Sequence, residues 1–206
     1  MPHASTPKAQ VRAVLRTSLL ARLLAGLVAA AAMSAALGLA PSQAAASQVA
    51  LGAYIPGADR DPSLFGAFAE RFGRRPVVLS SYKRWRSPPF VATELRAVWS
   101  RGALPLVTWE PWTLAGRGFP LKSIAAGRYD RYVRRAADSA AAWGKPILLR
   151  FAHEMNGDWY PWGQGRSGNA PGIYRAAWRH LVKIFRSAGA DNVEWVWTPN
   201  VDGGGQ

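Results

Sequence analysis

Ile147-Leu-Leu-Arg-Phe-Ala-His-Glu-Met-Asn-Gly-Asp-Trp-Tyr-Pro-Trp162 is the stretch on which the reading of this chain turns. Its first six residues are apolar except for Arg150, too short a run for a helix and well suited to a buried strand. The run passes directly into His153-Glu154 and then into a loop carrying Trp159, Tyr160 and Trp162. A carboxylic acid therefore stands at the carboxyl end of an apolar strand with aromatic rings close by in sequence. In parallel sheets that end is where functional groups gather.

Outward from this stretch, further apolar runs at Gln48–Ile55, Pro76–Leu79, Leu104–Trp109 and Val193–Thr198 join Ile147–His153 as expected strands. They read as continuous apolar runs, the pattern of strands covered on both faces. Amphipathic stretches at Ser63–Phe72, Val91–Arg101, Tyr129–Trp143 and Ile173–Ala188 fall between them as expected helices, the third stopping at Gly144 and the fourth near Gly189. Trp99, Trp143 and Trp178 lie on these helices and are expected in the core.

The alternation predicts an α/β fold with a parallel sheet and right-handed crossovers. An open doubly wound sheet and a barrel both fit. Four successive strand ends carry aromatic or amide groups, around Tyr82, Trp109, Trp159 and Asn200, and this favours a (β/α)8 TIM barrel. A whole barrel takes roughly 250 residues. The expectation is therefore that residues 47–206 hold only the first five strands and their connecting helices, the N-terminal part of a catalytic domain.

Residues 1–46 read differently. Lys8, Arg12, Arg16 and Arg22 precede an uncharged apolar run from Leu23 to Ala40, and small residues follow to Ala46. That order is a secretory signal peptide. A membrane anchor is the competing reading, disfavoured by the many small residues and the Ala-x-Ala pattern; no membrane association is expected once the leader is removed. An exported chain without cysteine has no disulfide framework, so a packed core must stabilise it. The net charge of +14 comes from scattered basic residues and reads as a solvated surface. A nucleic-acid groove is not expected, because Glu110, Glu154 and Asp158 fall within the proposed pocket.

Glu154 is the leading candidate. Burial favours the neutral form of a carboxyl, and a carboxyl still protonated near neutral pH can give its proton to a leaving oxygen. The bland alternative is a structural pairing with Arg150, which lies on the same face of the strand. Two motif matches fail. His153-Glu154 lacks the second histidine of a zinc-binding His-Glu-x-x-His, and Gly163 to Gly168 matches a dinucleotide loop but follows no strand. Flat rings such as Trp109, Trp112, Trp159, Trp162 and Trp197 suit the C–H faces of sugars.

Arg150-Phe-Ala-His-Glu-Met-Asn-Gly-x-Trp-x-x-Trp-Gly163 resembles the fourth-strand signature of glycoside hydrolase family 26. Leu51-Gly-Ala-Tyr-Ile-Pro-Gly57, Thr108-Trp-Glu-Pro-Trp112 and Trp195-Val-Trp-Thr-Pro-Asn200 resemble its first, third and fifth strands. The resemblance implies a TIM barrel that hydrolyses β-linked polysaccharide, chiefly β-1,4-mannan, by an endo-acting, retaining mechanism. Mixed-linkage β-glucan or a non-catalytic sugar-binding role are the alternatives. Glu154 then matches the general acid/base. His153, Trp159, Trp162, Trp109, Glu110, Asn156 and Tyr82 form the expected substrate-binding set, with no cofactor, no metal and a monomeric, secreted protein. The nucleophile that a retaining mechanism needs matches no glutamate of this sequence, so the chain alone is expected to lack turnover.

Overall fold

The structure, a computed structural model, describes residues 49–201. The expected leader and Asp202 lie outside the described residues. Five strands, β1 (Gly52–Tyr54), β2 (Val78–Arg84), β3 (Leu104–Glu110), β4 (Ile147–Phe151) and β5 (Val193–Trp195), alternate with helices α1 (Pro62–Phe72), α2 (Ala92–Trp99), α3 (Leu121–Ala125), α4 (Asp130–Trp143) and α5 (Ile173–Ser187).

All strand pairs are parallel, and the spatial order is the sequence order, β1 to β5. A doubly wound sheet must reverse its strand order at a switch point. No reversal occurs, so the sheet is wound in one direction, as the wall of a (β/α) barrel is.

Local signals account for the helix ends. At the start of α1, Asp61 Oδ1 accepts the Ser63 amide at 2.9 Å, and Pro62 occupies the first turn, where its missing N–H costs nothing. Gly73 and Gly144 close α1 and α4 in left-handed conformations that a side chain would oppose. α3 has no counterpart among the expected helices, since five residues carry too little periodicity to be read.

The core lies on one face of the sheet. Val107 and Trp109 of β3, Ile147, Leu149 and Phe151 of β4, and Val193 of β5 are buried together with Val133, Ala137, Leu181 and Phe185 of the helices. The alternate positions Leu106, Leu148 and Arg150 are only half-buried, and Tyr54 and Tyr82 are exposed. The expectation of strands covered on both faces holds for β3, buried at six of its seven positions, but not for β4, which alternates. An apolar side chain at Leu148 concealed that alternation, and Ser80, Tyr82, Thr108, Glu110 and Arg150 stand on the second face.

The tryptophans exchange places with expectation. Trp99, Trp143 and Trp178 are half-buried rather than central, and the Lys145 ammonium sits 5.4 Å from the Trp99 ring and 5.2 Å from the Trp143 ring. Trp109 is fully buried instead. It lies 5.3 Å from Trp85, and its N–H donates to the Tyr132 hydroxyl at 3.2 Å, which in turn donates to the Ser87 carbonyl. Leu149 is likewise fully enclosed between sheet and helices. Leu149→Ala is expected to lower stability by about 2–5 kcal/mol, read as a shift of the urea midpoint at constant slope.

Candidate active site

The second face of the sheet ends in a cluster built from β2, β3 and β4. The backbone beyond β4 is held from both sides: the Ala152 amide donates to Trp109 O at 3.1 Å, and the Glu154 amide to Thr198 O at 2.8 Å. Ala152 and Glu154 both have positive φ, 45° and 53°, a conformation that costs a non-glycine residue on the order of 1–3 kcal/mol. Neighbouring contacts hold the turn there, and it carries Glu154 out of the strand to a half-exposed position.

Glu154 Oε2 accepts the Trp159 indole N–H at 3.0 Å. Arg150, the structural partner considered for it, turns elsewhere. Its Nε donates to Thr108 Oγ1 at 2.9 Å and a terminal nitrogen to the Tyr82 hydroxyl at 3.2 Å, with the guanidinium over the Tyr82 ring.

His153 is buried beside Glu154, and its Nε2 is 3.0 Å from the Tyr160 hydroxyl. Its Nδ1 is buried without a partner. Burial, reinforced by the Arg150 charge and only partly offset by Glu154, lowers the His153 pKa to about 4. The ring is therefore neutral at neutral pH, a hydrogen-bonding group rather than a cation. Tyr160 stacks on Trp162 with centroids 4.4 Å apart and planes 12° from parallel. Trp162 in turn donates its N–H to His153 O at 2.7 Å.

Glu110 closes the cluster at the end of β3. It is buried, accepts the Trp112 N–H at 3.1 Å, and has its pKa raised by desolvation, against opposing effects of that hydrogen bond, Arg84 and Arg150. Burial and the charges of Glu154 and Glu110 also push the Tyr160 phenol up, keeping it protonated.

The expected set thus divides. Glu154, His153, Tyr82, Trp159 and Glu110 come together, although Tyr82 lies within β2 rather than beyond it. Asn156 stands beside them, locked to the segment after β5: its Nδ2 donates to Asn200 O at 3.0 Å and its Oδ1 accepts the Asn200 amide at 2.7 Å. Trp109 and Trp162 do not join as contact surfaces. Both are almost wholly buried, because each fills core volume and spends its N–H on an internal acceptor, so their assignment as sugar-stacking rings is corrected. Tyr160, Arg84 and Thr108 were not anticipated. Tyr160 stood in the same aromatic loop, but nothing in sequence says which ring hydroxyl reaches a histidine.

The loop from Gly163 to Gly168 is a surface turn, largely exposed. Two glycines, Gly157 before this loop and Gly163 at its start, constrain the site. A Cβ on Gly157 would collide with the Trp159 ring, and one on Gly163 with the Gly157 carbonyl. Among the described residues no group of three or more His, Cys, Asp or Glu side chains is placed to hold a metal ion, and no helix is long and apolar enough to cross a membrane. A cavity of about 500 Å³ lies beside the cluster and shares Asn156 and Trp162 with it, but Glu154 does not line it.

Residues 126–203 match the profile of glycosyl hydrolase family 26. The chain is 38% identical over 159 residues to Endoglucanase H of Acetivibrio thermocellus, covering 76% of this chain and 17% of that protein. It is 24% identical over 166 residues to Mannan endo-1,4-beta-mannosidase A and B of Caldalkalibacillus mannanilyticus, covering 64% of this chain and 32% of the relative. The chain thus spans about a third or less of the length of these two relatives. The structure superposes on Bacillus subtilis mannanase man26 with a TM-score of 0.51 at 19% identity, covering 74% of this chain and 57% of that one. This last likeness bears on fold.

Two outcomes follow from the geometry. Gly157→Ala is expected to displace the Trp159 ring from Glu154, seen as a change in tryptophan emission larger than that of Gly168→Ala on the exposed loop. A nitrogen-15 titration of the imidazoles is expected to place His153 near pH 4. An unfolded histidine binds its proton near pH 6.5, so the unfolded state holds more protons between the two values. His153 therefore removes stability as pH falls through that window, and His153→Gln should flatten this part of the pH–stability curve.

Proposed function

We propose, from the premise that this chain belongs to glycosyl hydrolase family 26, that it takes part in endo-acting hydrolysis of a β-linked polysaccharide of the mannan type, with Glu154 as general acid/base. The observation that carries this is the placement of Glu154: a half-exposed carboxyl at the end of a barrel strand, hydrogen-bonded to an indole that is itself 39% exposed.

In this reading the Trp159 face receives a sugar ring, while its N–H fixes the carboxyl that must reach the glycosidic oxygen. The exposed hydroxyl of Tyr82 binds a sugar hydroxyl, while neutral, buried His153 holds the Tyr160 hydroxyl beside the site. Asn156 holds the rim through Asn200. A retaining route has a second carboxylate attack the anomeric carbon, after which the acid/base activates water. Glu110 is a poor nucleophile, since burial raises its pKa and Trp112 occupies one of its oxygens. We assign that step to none of the described residues. The apolar leader with its basic flank supports export of the protein, and the absence of cysteine accords with a fold that needs no oxidising compartment.

The second substrate reading, β-glucan, is favoured by the higher identity to the endoglucanase than to the mannosidase. Because the chain alone is expected to lack turnover, the test is made in a relative that carries the whole barrel: glutamine in place of the glutamate matching Glu154 is expected to reduce release of reducing ends from β-mannan by at least about 100-fold while leaving manno-oligosaccharide affinity within a few-fold. Greater release from mixed-linkage β-glucan than from mannan would move the substrate to the second reading. Hydrolysis undiminished in the variant would remove Glu154 from its role. Oligosaccharide binding with no hydrolysis by that unsubstituted relative would leave a sugar-binding module.

A further inference from the structure

Asn156-Gly157 is the only asparagine–glycine pair of the sequence, since Asn169, Asn192 and Asn200 precede alanine or valine. It stands between Glu154 and Trp159 in a turn closed by the Gly157 amide, which donates to Glu154 O at 3.0 Å. An asparagine followed by glycine is open to attack by its own chain, because no Cβ shields the next amide nitrogen and the backbone there turns freely. Glycine is nevertheless required at 157, where a Cβ would collide with the Trp159 ring. The ring that contacts Glu154 thus imposes a chemically labile pair on the turn beside it.

Hydrogen bonds restrain that pair. Asn156 is exposed, yet its Oδ1 accepts the Asn200 amide at 2.7 Å and its Nδ2 donates to Asn200 O at 3.0 Å. Departure of Nδ2 would break the second of these bonds, and loss of the Gly157 proton would break the bond to Glu154 O. The same latch bears on the candidate active site, because Thr198, two residues before Asn200, accepts the Glu154 amide at 2.8 Å.

We propose that Asn156 is a deamidation site, held intact by its latch to Asn200, and that its conversion releases the segment after β5 and with it the Glu154 turn. In the reaction the Gly157 nitrogen gives up its proton and bonds to Asn156 Cγ. The Cγ–Nδ2 bond breaks, and Nδ2 leaves as ammonia carrying that proton. The five-membered succinimide that remains takes up one water and opens to aspartate or isoaspartate, with no oxidant or reductant. Aspartate has no N–H to offer Asn200 O, so two acceptors would face each other. Isoaspartate inserts a methylene into the backbone between Glu154 and Trp159. Either product breaks the latch. The site stands on the covalent chemistry of the turn and not on the hydrolytic reading.

The test is incubation of the purified protein in mildly alkaline buffer, folded or in urea, with its peptides followed by mass spectrometry. Conversion raises the mass by the difference between a hydroxyl and an amide group, and separates the peptide into aspartate and isoaspartate forms. In urea Asn156 is expected to convert before Asn169, Asn192 and Asn200. In the folded protein it should convert at least about 10-fold more slowly, because reaction then awaits local opening. Asn200→Pro, which removes the N–H held by Oδ1, is expected to recover most of that factor while Asn169 and Asn192 stay intact. Asn156→Asp is expected to speed hydrogen exchange of the Glu154 amide at least about 10-fold, with circular dichroism unchanged. Equal rates folded and in urea, no preference for Asn156 in urea, or Glu154 exchange unaffected by Asn156→Asp would each overturn the proposal. So would a folded Asn200→Pro variant that converts no faster than the unsubstituted protein. If that variant does not fold, the ratio of folded to urea rates and the exchange in Asn156→Asp decide alone.

Discussion

The candidate site depends on how the chain is held where β4 ends. Two amides two residues apart donate to opposite neighbours, Ala152 to Trp109 O on β3 and Glu154 to Thr198 O beyond β5. Between them the backbone takes left-handed angles that alanine and glutamate do not favour. The strain is tolerated because both flanking strands already supply acceptors and because Trp162 fixes the His153 carbonyl lying in the same turn. Without that clamp the chain would continue as a strand, and His153 and Glu154 would alternate between the two faces of the sheet. With it, both belong to one cluster: His153 packed inward against Tyr160, Glu154 turned outward against Trp159.

The clamp also sets the electrostatics. Arg150 is placed to pair with Glu154 by strand alternation alone, but it is committed to Thr108 and Tyr82 on the adjacent strands. That leaves the Glu154 carboxyl with a neutral indole as its hydrogen-bond partner, a contact that orients an oxygen without cancelling its charge. Arg150 still acts at a distance: its charge adds to desolvation in keeping His153 neutral and works against desolvation at Glu110. The two acids of the cluster therefore differ by environment, Glu110 buried and drawn toward its protonated form, Glu154 at the surface.

Much of this was legible in the sequence, and the reasons differ by feature. Strand order, the four longer helices and the position of Glu154 all follow from apolar runs bounded by glycine, proline and polar residues, which are local signals. The division of tryptophans was not legible. Trp109 and Trp159 both follow or end apolar strands, and only the fold shows that the first enters the helix-covered face while the second stands over a carboxyl. Tyr160 was missed for the same reason: its partner His153 is seven residues away across a turn whose shape depends on β3 and β5. The alternation in β4 was misread because Leu148 looks like a core residue, although its position faces the barrel side, whereas β3 is buried on both faces as expected.

The aromatic residues also explain how a cysteine-free chain keeps such a turn in place. Trp162 is stacked on Tyr160 and meets Trp112 edge-on at 5.5 Å, and Trp112 is bonded to Glu110. The rings join the ends of β3 and β4 through contacts with preferred geometry, each worth about 0.5–1.5 kcal/mol beyond the area it buries. Long flexible side chains could bury similar area, but they would lose more rotamer freedom and fix orientation less. A glycine at 157 completes the arrangement by letting the Trp159 ring lie against bare backbone. The same residue types thus do two jobs at one strand end: buried rings hold the turn, and the exposed ring that remains is aimed by the acid it contacts.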